Sequence, residues 1–342
     1  MKALVFHGDN DLRYEDVPTP AYGPDEVLVK VKAVGICGSD VAGYQGKTGR
    51  RTPPMIMGHE FAGVVEYAGV NVSGVKAGDQ VVVYPYTSCG TCVSCTKGMS
   101  NACSHKQFFG VFTINGAMAE YVSVRSDLLY PLPAGADLRH GAMAEPLSVA
   151  LRCVEKAAIT KDSTVTIVGA GTIGLMCLLL IKIRQPRTIA VLDISDERLE
   201  LARDLGADIT INPAKENPSE VIAARFPSGG TSVVIEAVGI ENTLSQAVAL
   251  AERGGRISVV GMSQRMIPVD MHEVIGKELQ IISSFQYDRR QFEHVLASLP
   301  ALKADLDRVI SHSKPLRQGV EMYERLAKAE PGLIKVILTD QA

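Results

Sequence analysis

Thr164-Val165-Thr166-Ile167-Val168-Gly169-Ala170-Gly171-Thr172-Ile173-Gly174 is the stretch on which the fold turns. Its first five residues are a β-branched run bounded by glycine, and residues 172–183 are a long apolar segment suited to a buried helix. A GxGxxG pattern recurs by chance, but here it joins a strand directly to a helix. The first glycine then permits the tight turn, the second lets a pyrophosphate approach the backbone, and the third lets helix and strand pack closely. Thr172 and Ile173 open the helix whose N-terminus would face the phosphates. Asp193 lies twenty-four residues past Gly169, at the end of a second predicted strand, where a carboxylate accepts from both hydroxyls of an adenosine ribose and repels a 2′-phosphate. The expected cofactor is NAD. Arg198 falls either over the adenine or ribose edge or on a solvated helix face.

Downstream, strand and helix alternate. Residues 189–192 read as a strand and 196–205 as a helix, capped by Ser195 or Asp196 and closed by Gly206. Further strands are expected at 233–236, 257–260 and 279–283, with a helix at 244–252. This order implies a doubly wound parallel sheet, an α/β fold. Two amphipathic helices, 289–299 and 316–329, and a closing strand, 334–338, follow. Upstream, the first 145 or so residues are β-rich, with strands at 27–32 and 80–84 and Gly/Pro punctuation that suggests a small barrel or sandwich.

Within the β-rich part, residues 34–62 hold Cys37-Gly38-Ser39-Asp40 and Gly58-His59-Glu60. Taken singly, Cys37 is a buried thiol and His59 a core histidine. Taken together, a thiolate, an imidazole and nearby carboxylates are a zinc ligand set, with hydroxyl and carboxylate neighbours to move protons, and the expected site is catalytic. A second set, Cys89-x2-Cys92-x2-Cys95-x7-Cys103, wraps one cation through tight turns and closes a tetrahedron from a returning loop. It has no open position, so its zinc is structural, and a lobe so poor in apolar residues would draw its folding free energy from the metal. Cys153 and Cys177 lie in apolar helical patterns and are expected as packing residues.

Composition bounds the function. A chain of 342 residues with 46% hydrophobic residues suffices for two domains with sizeable cores. A formal net charge of -3 and no long run of one sign argue against nucleic acid as a partner. The longest apolar run, residues 175–181, is far short of a membrane span, and the start of the chain lacks a signal-type apolar region, so the expected location is cytoplasmic and no membrane partner is expected. A reducing compartment also favours metal over disulfides for the cysteine cluster.

With these residues in place, the chain resembles the zinc-dependent medium-chain alcohol dehydrogenases. Gly58-His59-Glu60-x2-Gly63-x5-Gly69-x2-Val72 matches the zinc signature of that family, and the cysteine lobe and glycine loop follow at its spacings. Residues 141–149 and Leu333-Ile334-Lys335-Val336 resemble its sorbitol and polyol dehydrogenase branch. The resemblance implies a GroES-like catalytic domain at 1–146, carrying the structural zinc lobe 89–103, a Rossmann NAD-binding domain at 147–284, and a return to the catalytic domain at 285–342. It also implies an active cleft between the domains.

Carried over residue by residue, Cys37, His59 and Glu145 would bind the catalytic zinc, with Glu60 as an exchange ligand; Cys89, Cys92, Cys95 and Cys103 would bind the second. Ser39 matches the hydroxyl that receives the substrate proton, and Asp40 the carboxylate that orients the ligating histidine. Two departures stand out. Ala42 replaces a histidine that continues the proton relay in many members, and Gln286 replaces an arginine between two aromatics in sorbitol dehydrogenases. Phe108, Phe109 and Phe112 either line the pocket or belong to the core. The expected enzyme is an NAD-dependent homo-oligomer, dimer or tetramer, with two zinc ions per chain, acting on a small polyol or sugar-derived substrate. A threonine, sugar-acid or sugar-phosphate dehydrogenase is the alternative, and a non-enzymatic zinc-ribbon module a remote one.

Overall fold

The strand Glu26–Gly35 is the hub of the first of two compact units in a computed structural model that describes residues 1–340. Its branched residues Val27, Val29 and Val31 are buried, and Lys30 and Lys32 alternate with them toward the partly exposed face. It pairs antiparallel with Glu60–Ala68, Tyr121–Arg125 and Lys335–Thr339 within a seven-stranded sheet. A three-stranded sheet of Asp11–Asp16, Lys2–Gly8 and Met55–Ile56 completes the β-rich part. This unit comprises Met1–Glu145 and Asp288–Ala342, so the C-terminal segment returns to the N-terminal one through the strand Lys335–Thr339.

Register in this sheet decides which side chains meet. Gly35 lies opposite Glu60 on one side and Ile337 on the other. The chain beyond Gly35, the start of the strand Glu60–Ala68 and Lys335 therefore converge at one end of the sheet. Gly35 is needed there, because a Cβ would fall 2.1 Å from Glu60 Oε2 and 3.0 Å from Lys335 Nζ.

Two helices of this unit differ from their sequence reading. Arg289–Val309 runs ten residues past the predicted end at Leu299, through Pro300, because Leu302, Leu306 and Val309 continue the buried stripe of Phe292, Val295, Leu296 and Leu299. The segment predicted as one helix from 316 is a 3-10 turn, Leu316–Gln318, followed by the helix Gly319–Ala327.

The second unit, Pro146–Tyr287, is built on a six-stranded sheet. Its strand order is Ile209–Ile211, Thr188–Leu192, Thr164–Val168, Thr231–Glu236, Ala251–Val259, Gln280–Ser283, and every pairing is parallel. The order runs outward in both directions from Thr164–Val168, which makes the end of that strand and its neighbour Thr231–Glu236 the topological switch point. The strand Ile209–Ile211 and the helices Pro218–Arg225 and Met271–Gly276 are additions to the elements read from sequence. Among the described residues, no helix is long and apolar enough to cross a membrane.

Candidate active site

Cys37 is the N-cap of the short helix Gly38–Tyr44. Its sulfur accepts from the Ser39 backbone N–H at 3.5 Å and from the Ser39 hydroxyl at 3.3 Å, while Asp40 accepts from the Cys37 N–H at 3.4 Å. Cys-Gly-Ser-Asp is thus a capping box with a thiol in the place usually held by serine, so the cap itself presents the sulfur. Ser39 remains exposed beside it.

The structure brings Cys37, His59 and Glu60 together: one ligand atom from each lies within 4.8 Å of the others. His59 and Glu60 are buried, at 3% and 1% exposure. The His59 Nδ1 atom is buried without a hydrogen-bond partner and lies 3.5 Å from Asp40 Oδ1, too far for a well-formed bond. This side of the ring faces a carboxylate, which leaves Nε2 for ligation. Asp40, fully buried, accepts from Arg51 Nη2 at 2.7 Å.

Glu145 stands outside that triplet but within its electrostatic reach. The carboxyl is 6% exposed in the helix Leu138–Ala157. Burial pushes it up to about 8; His59 opposes the rise, and Glu60 and Cys37 add to it. Burial likewise pushes the Cys37 thiol up to about 11, with Glu60 and Asp40 adding to the rise. Glu60 instead has a partner, since the buried Lys335 ammonium donates to its Oε2 and to the Ile36 carbonyl at 3.2 Å. The role of Lys335 was missed in the sequence, where it is one charge in an apolar closing strand. Of the three phenylalanines considered for the pocket, Phe108 packs on the His59 ring at 5.0 Å, Phe109 packs on Phe61 at 5.7 Å, and Phe112 is 53% exposed.

The four cysteines of the second set converge. Four of their Sγ–Sγ separations are 3.5 Å (Cys92–Cys95 and Cys89–Cys103), 3.9 Å (Cys92–Cys103) and 4.0 Å (Cys89–Cys95). Four thiolates around one tetrahedral zinc would lie roughly 3.8 Å apart, the edge that follows from Zn–S bonds of about 2.3 Å. The donor set therefore fits the ion in kind, number and spacing. Backbone N–H groups of Cys95 and Ser104 draw the Cys92 thiol down to about 5, while burial and the neighbouring Cys92 and Cys103 push Cys95 up to about 12.

A third group of potential ligands, Asp137, His140 and Asp307, is engaged otherwise. His140 Nδ1 accepts from the Asp137 N–H at 3.2 Å, so Nε2 carries the proton and donates to Asp307 Oδ1 at 3.1 Å. Asp137 also accepts from the N–H groups of Arg139 and His140, and the set caps the helix that carries Glu145.

In the second unit, Gly171 is the N-cap of the helix Thr172–Ile183, which has no side-chain cap. A helix N-terminus that follows a glycine turn is where an anion is favoured by the helix dipole. A Cβ at Gly171 would meet nothing within 4 Å, whereas one at Gly174 would lie 1.8 Å from the Gly169 carbonyl, and Gly169 itself has φ +101°. The open glycine and the two constrained ones match the roles that a pyrophosphate cradle requires. Asp193 Oδ2 accepts from the Ala170 N–H at 2.7 Å and Oδ1 from the Ser195 N–H at 2.9 Å. Each oxygen keeps a lone pair for a ribose hydroxyl. Arg198 Nη1 lies 3.9 Å from Asp193 Oδ2.

Comparison with known proteins matches residues 23–134 to the alcohol dehydrogenase GroES-like domain and residues 172–300 to the zinc-binding dehydrogenase domain. The chain is 32% identical to sorbitol dehydrogenase of Bacillus subtilis, covering 99% of this chain and 97% of that protein. It is 36% identical to L-threonine 3-dehydrogenase of Bacillus velezensis, covering 99% and 98%. A structure from Sinorhizobium meliloti 1021, described as a zinc-binding dehydrogenase and bound to NADP, superposes with a TM-score of 0.91 at 30% identity, covering 99% of this chain and 98% of that one. Both halves of the sequence, both metal-type clusters and the glycine loop are thus accounted for by one ancestry: the chain belongs to the zinc-dependent medium-chain alcohol dehydrogenase family, on its sorbitol dehydrogenase-like branch, and is an oxidoreductase with a GroES-like and a Rossmann domain.

Proposed function

We propose that the protein is an NAD-dependent zinc dehydrogenase that reversibly oxidises a secondary alcohol of a sugar alcohol or related polyhydroxy compound to the ketone. The observation that carries this reading is the convergence of Cys37, His59 and Glu60 with the exposed Ser39 hydroxyl on the thiol. Cys37, His59 and Glu145 would hold the catalytic zinc, Glu60 standing ready to exchange, and Cys89, Cys92, Cys95 and Cys103 would hold a structural zinc, two per chain. When bound, zinc supplies a Lewis acid that lowers the pKa of the substrate hydroxyl, and the nicotinamide supplies the hydride acceptor.

The chain's own residues do the rest. Ser39 Oγ receives the substrate proton and, with Ala42 in the next relay position, passes it to water. Lys335 pairs with Glu60 and Arg51 with Asp40, so the groups left to supply negative charge beside His59, once they give up their protons to a metal, are Cys37 and Glu145, and two such charges match a divalent cation. Gly169, Gly171, Thr172, Ile173 and Gly174 seat the pyrophosphate, and Asp193 with Arg198 holds the adenosine ribose. The unused lone pairs and negative charge of Asp193 support NAD over NADP, although the Sinorhizobium meliloti protein binds NADP. Gln286, a neutral amide, favours a neutral polyhydroxy substrate. The relationship to a threonine dehydrogenase keeps an amino alcohol as the second reading. Free thiols suit a cytoplasmic location. An edge strand, Gln280–Ser283, with Ile281 40% exposed suits a homo-oligomer, dimer or tetramer.

The test is a cofactor-reduction screen of polyols, sugar acids, sugar phosphates and amino alcohols with NAD and NADP, run beside Asp193→Ala. The reading expects a polyol as best substrate, NAD preferred, and a preference narrowed by about tenfold or more in the variant. Best turnover on threonine would favour the second reading, and wild-type preference for NADP would remove the role given to Asp193.

A further inference from the structure

Arg51 is a cation whose side chain is only 3% exposed, paired at 2.7 Å with an Asp40 that is 0% exposed. The pair is built into the fold. The Arg51 Cγ occupies the space over Gly43 where a Cβ would come within 2.8 Å, and its Nη1 donates to the Arg50 carbonyl at 3.3 Å. Its Nε is buried without a hydrogen-bond partner, a cost that a merely decorative ion pair would not sustain. Asp40 in turn touches both sides of the ligand cluster: Oδ2 accepts from the Cys37 N–H at 3.4 Å, and Oδ1, the atom that Arg51 holds, lies 3.5 Å from His59 Nδ1.

We infer that Arg51 is a positioning residue that sets the charge of the Cys37–His59 metal site by neutralising Asp40 and drawing its Oδ1 away from His59. With Lys335 on Glu60 and Arg51 on Asp40, two buried cations cancel the two carboxylates that flank His59. Arg51 thereby keeps the imidazole a weaker electron donor and the bound cation a stronger Lewis acid than a free Asp40 would allow. This inference rests on the reading of Cys37 and His59 as metal ligands.

The experiment measures zinc retention of the full-length holoprotein against a graded chelator series, with metal content and circular dichroism followed together. Arg51→Gln, which leaves Asp40 uncompensated, should hold the catalytic zinc roughly tenfold more tightly. Asp40→Asn, which leaves Arg51 uncompensated, should hold it at least roughly tenfold less tightly, and the double variant should return toward wild type. Arg51→Lys should stay near wild type because the charge is kept. If Arg51→Gln folds but weakens the metal or leaves it unchanged, the inference is overturned. If Arg51→Gln does not fold, the outcome rests on the other variants, and a double variant that is no closer to wild type than Asp40→Asn overturns it. Wild-type protein that holds only the zinc of the four-cysteine lobe would instead overturn the underlying site assignment.

Discussion

Glu60 and Glu145 are both buried beside His59, yet their surroundings assign them different work. Glu60 meets an ammonium, Lys335, whereas burial leaves Glu145 near neutrality, with its carboxyl pushed up to about 8. A ligand must be ionised to bind, so if Glu145 and Cys37 hold zinc as proposed, metal entry should release the protons that burial retains on Glu145 and on Cys37, whose thiol is pushed up to about 11. Below pH 8 both protons leave on binding; between pH 8 and 11 only that of Cys37 does. Apparent affinity of the catalytic site should therefore climb about a hundredfold per unit in the pH unit just below 8 and about tenfold per unit above it. Calorimetric titration of zinc into protein stripped only at this site, in buffers of different ionisation enthalpy, counts those protons. Glu145→Gln should remove one of them below pH 8, and an unchanged count there would mean that Glu145 is not a ligand. None of this follows from sequence, because the pairing of Glu60 with Lys335 depends on Gly35 standing opposite Glu60 in one neighbour strand and Ile337 in the other. Nor could the position of Glu145, far along the chain from His59, be read from any local pattern; it came through family resemblance.

At the scale of elements, what was legible was what is local. The glycine loop reads directly because turn, phosphate approach and helix contact each demand glycine within six residues. The cysteine lobe reads directly for the same reason, its four thiols falling within fifteen residues and their sulfurs lying at separations that suit a tetrahedron. By contrast, Pro300 marked a helix end that the apolar stripe overrode, and the six-residue helix Met271–Gly276 is too short to show a period. The lobe also has little core: Val93 is 70% and Met99 43% exposed. Its order must come from the thiolates, the Lys106 ammonium over the Tyr86 ring at 5.0 Å and the Lys106 bond to the Asn101 carbonyl at 2.6 Å. Cys95→Ser should thus lower the melting temperature by several degrees and lose one zinc while the remaining folded protein keeps its turnover number. Cys37→Ser should lower turnover by at least about a hundredfold with a smaller fall in melting temperature than Cys95→Ser, because serine can keep the cap of the helix Gly38–Tyr44. The reverse pattern in calorimetry and steady-state kinetics would exchange the roles of the two clusters.

Over the whole molecule, chemistry is divided between two units with separate supports. Among the described residues, every potential metal cluster lies in the unit Met1–Glu145 with Asp288–Ala342, while the glycine loop and Asp193 lie in Pro146–Tyr287. The second unit has its own buried core, including Val168, Ala190, Leu192, Val234 and Ile257, and owes nothing of that core to a ligand. A ligand that binds only the native form protects the region it ties together. Hydrogen exchange should therefore separate the two supports within one protein. Removing both metals should speed exchange around residues 36–60 and 86–108 while amides of Thr164–Val168 and Thr188–Leu192 keep their protection. Adding NAD to the holoprotein should slow exchange at residues 169–174 and 193–198, by more than tenfold at saturating cofactor, and leave the cysteine lobe unchanged. Loss of protection in the parallel sheet on metal removal would show that the second unit cannot hold its fold alone, and equal protection of the lobe by NAD would show that the two supports are one.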